Sequence, residues 1–100
     1  MKHTKQQIKY INTLRQFQQE YGAKYGITRM GIFGSVARGE ESADSDVDVV
    51  VEAEVMGLIA LSGVRLTLEE MMGRPVDVVR KTKFTPPRFK ARIERDVIYV

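Results

Sequence analysis

Apolar residues recur along this chain with two different periods, which predict alternating helices and strands. Across residues 4–21 they are spaced by three or four positions, as on one face of a helix. This stripe consists of Ile8, Ile11, Leu14, Phe17 and Tyr21. Thr4 and Gln7 fit a capping box at the start of the helix, and Gly22 is expected to end it. We interpret the stripe as core packing, with a partner-binding face as the alternative.

The rest of the chain alternates short apolar runs with helical patterns. The runs that favour strands are residues 27–33, 46–52, 75–80 and 97–100. The segments that favour helix are a short turn at 35–39, then 56–72 and 87–95, and in the middle one we expect an apolar side formed by Leu58, Leu61, Leu68 and Met72. Three consecutive valines in the second strand predict burial on both faces of the sheet. The order αβαβαβαβ predicts an α/β (α+β) fold with a mixed sheet of about four strands, flanked by helices mainly on one face.

Composition narrows the class of protein. The 100 residues suit one small domain, and no cysteine is present for a disulfide or a thiolate metal site. The N-terminus has no signal-peptide core, and the longest apolar stretch is too short to span a bilayer, so we expect a cytoplasmic protein.

The net charge of +3 hides an acidic centre at 40–54 and a basic segment at 74–96. These are either solvated faces, or a cation site beside a region that meets phosphates or an acidic partner.

Two carboxylates in the second strand indicate metal chemistry. Asp46 and Asp48 lie two positions apart, so they share one face of the strand. Carboxylate pairs of this kind can hold Mg²⁺ together with substrate phosphates, and two such ions can assist a phosphoryl displacement. Asp77, in the third strand, is the candidate third carboxylate, because its apolar neighbours predict burial and a buried carboxylate needs a partner or a metal. Glu52 or Asp44 is the alternative.

The segment before the carboxylates has the composition of an anion site. Gly34 permits a sharp turn and a close approach of a ligand to the backbone. The N–H groups of the following turn and the Ser35 hydroxyl would bind phosphate, although Ser35 could instead cap the turn. Arg38 could bind phosphate or pair with Glu40 or Glu41. Each of these features alone has an ordinary structural interpretation as a loop, a cap or a surface charge.

Their combination and spacing resemble a known family. Gly34-Ser35, an Arg-Gly pair at 38–39 and Ser-Asp-x-Asp at 45–48 are similar to the motif of the nucleotidyltransferase superfamily that includes DNA polymerase beta, and most of all to its minimal nucleotidyltransferase branch. "GRPVDVV" resembles the third-carboxylate strand of that family, and "ERDVIYV" its C-terminal helix and strand. The similarity covers about residues 27–100, and the first helix matches only in type. It implies one domain, residues 1–100, with an N-terminal helix at 1–26 and a catalytic core at 27–100.

The resemblance also implies residue roles. Asp46 and Asp48 would bind both of two Mg²⁺ ions, and Asp77 would bind the catalytic ion and help deprotonate the acceptor hydroxyl. Gly34 and Ser35 would hold the β- and γ-phosphates of the nucleotide. Arg38 is a candidate nucleotide-binding residue.

The implied function is Mg²⁺-dependent transfer of AMP from ATP to a hydroxyl acceptor. In this branch the acceptor is usually a tyrosine of a HEPN-domain toxin, which makes the protein an antitoxin and a protein adenylyltransferase. One alternative is an antitoxin that binds without catalysis. Another is a homo-oligomeric enzyme that modifies a small molecule such as an aminoglycoside. Nucleic-acid binding is a weaker alternative, because few aromatic residues lie among the basic ones, and no membrane partner is expected.

Overall fold

A computed structural model describes residues 3–40 and 45–100. In chain order its elements are α1 (Lys5–Tyr25), β1 (Ile27–Phe33), α2 (Gly34–Ala37), β2 (Val47–Ala53), α3 (Leu58–Met72), β3 (Val76–Arg80), α4 (Pro87–Asp96) and β4 (Ile98–Tyr99). The predicted order of helices and strands is confirmed. No helix among these residues is long and apolar enough to cross a membrane.

The strands form one mixed sheet in the order β3-β2-β1-β4. β2 and β3 run parallel, as expected for two strands joined by a helix, and β1 pairs antiparallel with both β2 and β4. The central valines of β2, Val49, Val50 and Val51, are fully buried. The prediction of a strand covered on both faces is therefore confirmed.

Helices cover the two faces of the sheet unequally. α1 and α3 pack together on one face, where their apolar residues join Val49 and Val51 in the main core. On the other face Ile93 of α4 packs with Phe33 and Val50 in a smaller cluster. Since Asp48 alternates with Val49 along β2, the Asp48 side chain belongs to the sparsely covered α4 face. This face is where a substrate could approach the sheet.

The first helix differs in detail from its prediction. The capping box of Thr4 and Gln7 is present, but the helix continues through a buried Gly22 and ends at Gly26. Gly22 leaves room for the Gln18 side chain, whose Nε2 donates to the Ile27 carbonyl oxygen at 3.2 Å. The expected helix end at Gly22 was therefore wrong, because the left-handed turn that ends the helix lies at Gly26.

Two predicted core positions were also wrong. Ile8 is 47% exposed, and Tyr10 takes its place in the buried stripe of α1. Leu58, expected on the apolar side of α3, is 83% exposed, while Val64 and Leu68 are fully buried. The rest of both predicted stripes is confirmed, since the other members are buried or pack against the core: Ile11, Leu14, Phe17 and Tyr21 in α1, and Leu61, Leu68 and Met72 in α3.

Candidate active site

The Asp48 carboxylate lies against the α-carbon of Gly34. Phe33, the last residue of β1, is the register partner of Asp48 in β2, and the chain then turns through Gly34 with φ 72°. A β-carbon at position 34 would lie 3.1 Å from Asp48 Cγ and would collide with one carboxylate oxygen. Glycine is therefore required here both for the left-handed backbone and for the space that the carboxylate occupies.

The three predicted carboxylates gather where β2 and β3 begin. Asp48 and Asp77 are register partners in the parallel pair, so their side chains project from the same face of strands about 4.8 Å apart. Asp46 precedes β2 and is exposed, while Asp48 is half-buried. The topology thus brings two separate sequence motifs to one edge of the sheet.

The burial expected for Asp77 is not found. Asp77 is exposed, although the residue before it, Val76, is buried. β3 is an edge strand and α4 covers that side of the sheet only in part. The argument that Asp77 needs a partner because it is buried was therefore wrong. Its candidacy rests instead on its register with Asp48.

Negative charge is concentrated at this edge. Burial raises the pKa of the Asp48 carboxyl above its ordinary value, and the charges of Asp77 and then Asp46 raise it further. The guanidinium groups of Arg38 and Arg92 partly oppose this effect on the pKa. Because ionised carboxylates that repel one another gain from a cation, this donor set fits Mg²⁺.

Within residues 3–40 and 45–100, no three His, Cys, Asp or Glu side chains lie close enough together to hold a metal ion by themselves. Mg²⁺ is usually held by one or two carboxylates together with substrate phosphates, rather than by a complete protein cage. The assignment of Asp46, Asp48 and Asp77 as metal ligands stays a prediction.

Arg38 is held by two carboxylates. Its Nε donates to Glu40 at 3.0 Å, and its Nη1 donates to Asp96 at 2.7 Å. Asp96, the last residue of α4, also accepts hydrogen bonds from Arg95. Of the two interpretations of Arg38 the structure contains the ion pair, and nucleotide binding by Arg38 stays a prediction. Sequence reasoning missed the role of Asp96, because no local pattern indicates a contact 58 positions away in the chain.

Ser35 is partly exposed beside the Gly34 turn. It is half-buried and has no side-chain hydrogen bond to any described residue, and no side chain caps the start of α2. Its carbonyl oxygen accepts from the Glu40 N–H at 2.8 Å, which closes the turn after α2. The capping role considered for Ser35 is not observed, so its hydroxyl can donate to a phosphate oxygen.

The start of β2 is anchored from two directions. Arg74, in the turn before β3, donates to the Ser45 carbonyl oxygen and, at 2.9 Å, to the Tyr10 hydroxyl of α1. The Val47 N–H donates to the Pro75 carbonyl oxygen at 3.0 Å. These contacts anchor the chain where it leads into Asp46 and Asp48.

The alternative carboxylates are less well placed. Glu52, farther along β2, pairs with Arg29 at 2.9 Å and approaches Lys81 at 4.0 Å. Asp44, and Glu41 as a partner of Arg38, lie outside the described residues. A cavity of about 620 Å³ borders Arg38, Glu40 and Asp96, but none of the three predicted carboxylates lines it.

Comparison with known proteins decides the family. Residues 12–100 match the model of the nucleotidyltransferase domain. The chain belongs to the nucleotidyltransferase family. The match begins inside α1, so the similarity extends further toward the N-terminus than the predicted 27–100.

Relatives of similar length show which branch of the nucleotidyltransferase family this chain is similar to. Protein adenylyltransferase MntA of Thermococcus cleftensis is 34% identical over 98 residues, which cover 97% of this chain and 96% of the relative. A solved structure assigned as a minimal nucleotidyltransferase is 35% identical, with a TM-score of 0.70 over 88% of this chain and 93% of that one. The prediction that the chain is similar to the minimal nucleotidyltransferases is confirmed, and so is the prediction that it is an enzyme of the nucleotidyltransferase class.

A more distant structure shares the fold. It is the complex of an MNT antitoxin with a tri-AMPylated HEPN toxin of Shewanella oneidensis. The match is 15% identical, with a TM-score of 0.65 over 91% of this chain and 70% of that one. The predicted nucleotidyltransferase fold is thereby confirmed at both higher and lower sequence identity.

Proposed function

We propose that this chain transfers AMP from ATP to a tyrosine hydroxyl of a HEPN toxin and acts as the antitoxin of that toxin. The observation that carries the proposal is the contact of the Asp48 carboxylate with the Gly34 turn, in register with Asp77. It puts candidate metal ligands directly beside a candidate phosphate-binding turn. The name of the Thermococcus relative and the AMPylated toxin in the Shewanella complex support protein adenylylation and a toxin partner.

Each residue of the site has a defined task in this proposal. The Gly34 backbone and the Ser35 hydroxyl bind the β- and γ-phosphates of ATP, and Asp46 and Asp48 orient the metal-bound triphosphate. Mg²⁺ would neutralise charge on the triphosphate and on the carboxylates. Asp77, which is exposed, faces the acceptor. Such positioning and charge neutralisation account for most of the catalysis in phosphoryl transfer.

The reaction is an in-line displacement. The acceptor oxygen forms a bond to the α-phosphorus of ATP, the bond from that phosphorus to the bridging oxygen breaks, and pyrophosphate leaves with the electron pair. The hydroxyl proton passes to the Asp77 carboxylate. A tyrosine hydroxyl has an ordinary pKa of about 10, so it needs such a base at neutral pH.

The test is to incubate the chain with radiolabelled ATP, Mg²⁺ and the product of the neighbouring gene as the candidate toxin, and to map the label by mass spectrometry. We expect AMP on a toxin tyrosine with the wild type and no label with Asp48→Asn. Glu54→Gln is the matched control, because Glu54 is an exposed carboxylate beyond the other end of β2 and should leave transfer intact. Inhibition of an unlabelled toxin by wild type and Asp48→Asn alike would identify a non-catalytic antitoxin. Label only on an added aminoglycoside would identify a small-molecule enzyme.

A further inference from the structure

The beginning of α3 exposes large apolar side chains. Leu58 is 83% exposed and Ile59 90%, and Val55 in the preceding bend is 83% exposed. Leu66, 57% exposed, lies two turns beyond Ile59 on the same side of the helix. We refer to these four residues as the α3 patch.

The sequence around the α3 patch is that of a covered helix. Residues 55–64 contain no charged side chain, and Ser62 is the one polar side chain among them, so the first turns of α3 are almost entirely apolar. Helices of this kind are normally buried, and a contiguous apolar surface marks an interaction site, whereas single exposed apolar residues need no explanation. Farther along the same helix, Arg65 and Glu70 are exposed as on an ordinary surface helix.

Three residues of the α3 patch, Val55, Leu58 and Ile59, lie at the end of the sheet opposite the carboxylates. Asp48 stands near the start of β2, and Val55 follows the end of that strand. The extended chain from Asp48 to Ala53, the last residue of β2, spans about 17 Å, and Val55 lies beyond it in the bend. If the proposed function holds, a protein that presents its hydroxyl at Asp48 contacts the other end of the molecule. The substrate toxin is therefore a poor occupant of the α3 patch.

We propose that the α3 patch is the centre of a homodimer interface between two copies of this chain. An uncharged apolar patch is self-complementary under two-fold symmetry, although the chain as a whole carries a net charge of +3. Two copies joined here leave both carboxylate edges outward and accessible.

Charges at the border of the α3 patch fit this arrangement. Exposed Glu54 precedes Ile59 in the chain and exposed Arg65 follows it. Antiparallel pairing of the two α3 segments about Ile59 brings Glu54 of each copy toward Arg65 of the other. Arg65 also contacts Glu69 at 3.2 Å through one nitrogen, which leaves other N–H groups for a second carboxylate. Stable dimers bury about 800 Å² per copy, so the apolar residues form the centre and these charges the rim.

Sedimentation of the isolated chain tests the proposal. We expect wild type to sediment as a dimer at micromolar concentration, and Ile59→Glu as a monomer. Ile8→Glu is the matched control, because Ile8 is also exposed but lies at the start of α1; it should remain dimeric. Circular dichroism of all three proteins checks that they are folded. A wild type that stays monomeric up to about 100 μM, or an Ile59→Glu variant that stays dimeric, would overturn the proposal.

Cross-linking provides a second measurement that needs no disruption of the interface. The chain has no cysteine, so Ile59→Cys introduces a single thiol near the proposed two-fold axis. Under oxidising conditions it should form a disulfide-linked dimer, and Ile8→Cys should not, because thiols must approach closely to bridge. Equal cross-linking of both variants would mean random collision and would count against the interface.

Dimer formation and AMP transfer are measured independently. The proposed homodimer can therefore be wrong while the proposed function is right, and the reverse. Ile59→Glu should still label the toxin when the proposed function holds. If wild type and Ile59→Glu are both monomeric and Ile59→Glu has lost toxin binding, the α3 patch is the surface that binds the toxin. This result would overturn the homodimer. A dimer without any AMP transfer would retain the interface and remove only the proposed function.

Discussion

The carboxylate of Asp48 occupies the space that a side chain on Gly34 would need. The two residues meet because Asp48 pairs with Phe33, the last residue before the turn. The turn and the carboxylate are therefore in direct contact. A nucleotide held by the turn would be held beside that carboxylate.

We predict that Gly34→Ala removes catalysis. The new methyl group would displace the Asp48 carboxylate, and a misplacement of about 1 Å can cost about 100-fold in rate. The left-handed backbone adds a stability cost of about 1–2 kcal/mol. Initial rates of AMP transfer and the midpoint of urea unfolding measure the two effects separately.

Gly73→Ala is the matched control for this substitution. Gly73 also has a positive φ, 67°, but a β-carbon at this position would meet no atom within 4 Å beyond its local neighbours. The backbone cost should therefore be similar, while transfer is retained. If both variants lose stability and activity equally, the contact with Asp48 has no catalytic meaning.

Asp48 should destabilise the protein when no metal is bound. Because its pKa is raised in the folded state, folding favours the protonated form. Stability then falls as pH rises from the ordinary aspartate pKa through the raised value, and stays lower above it. We predict that Asp48→Asn raises the Tm in EDTA at neutral pH, and that the difference from wild type shrinks as the pH falls below the ordinary value.

Addition of Mg²⁺ should reverse the order of the Tm values of wild type and Asp48→Asn. An ion that binds only the folded state stabilises it by mass action, and wild type has the carboxylate that binds it. The Tm of wild type should rise with Mg²⁺ concentration and that of Asp48→Asn should rise less, with Glu54→Gln behaving as wild type. Equal shifts for all three proteins would locate the ion elsewhere.

Ser35→Ala should weaken nucleotide binding without harming the fold. Its hydroxyl has no hydrogen bond within the described part of the chain, so its removal costs little stability. A lost hydrogen bond to a charged phosphate is worth about 1.5–3 kcal/mol, or roughly ten- to a hundredfold in Kd. Calorimetric titration with a non-hydrolysable ATP analogue measures the Kd. Ser62→Ala is the control, because Ser62 is an exposed serine of α3. An unchanged Kd for Ser35→Ala would remove the hydroxyl from the site.

Local pattern was sufficient to predict the elements and most of their buried positions, but not where burial stops. The boundaries of β1 were predicted correctly, because β-branched residues end at a glycine turn. The buried stripes of α1 and α3 were predicted correctly except at Ile8 and Leu58, which have the right spacing but are exposed in the described part of the chain. What covers a helix depends on tertiary or quaternary partners, which spacing alone does not contain.

The candidate site also combines features that the local sequence predicts with features that depend on tertiary packing. The sequence predicts Asp46 and Asp48 as a pair because strand periodicity is local, and the structure adds the register of Asp77 beside Asp48. The exposure of Asp77 could not be predicted, because it depends on β3 being the edge strand. The contact of Asp96 with Arg38 is likewise set by the packing of α4 and has no local signal.

The contact between Asp96 and Arg38 leads to a prediction on the pH dependence of stability. The hydrogen bonds from Arg95 and Arg38 hold the pKa of Asp96 below its ordinary value. The stabilisation is therefore present above the ordinary aspartate pKa and is lost as pH falls through the lowered value in the folded state. Asp96→Asn should destabilise the protein at neutral pH, and its difference from wild type in urea unfolding should vanish in acid.

Glu40→Gln separates this structural role from nucleotide binding. The Glu40 side chain is 65% exposed, against 9% for Asp96, and exposed ion pairs contribute little to stability. Glu40→Gln should therefore leave the urea midpoint nearly unchanged while it frees the Nε of Arg38. If Arg38 binds a phosphate, the loss of a competing carboxylate should tighten binding of the ATP analogue, and Arg38→Gln should weaken it. If Glu40→Gln leaves the Kd unchanged and Arg38→Gln affects only the unfolding midpoint, Arg38 serves to fix the end of α4 and takes no part in binding the nucleotide.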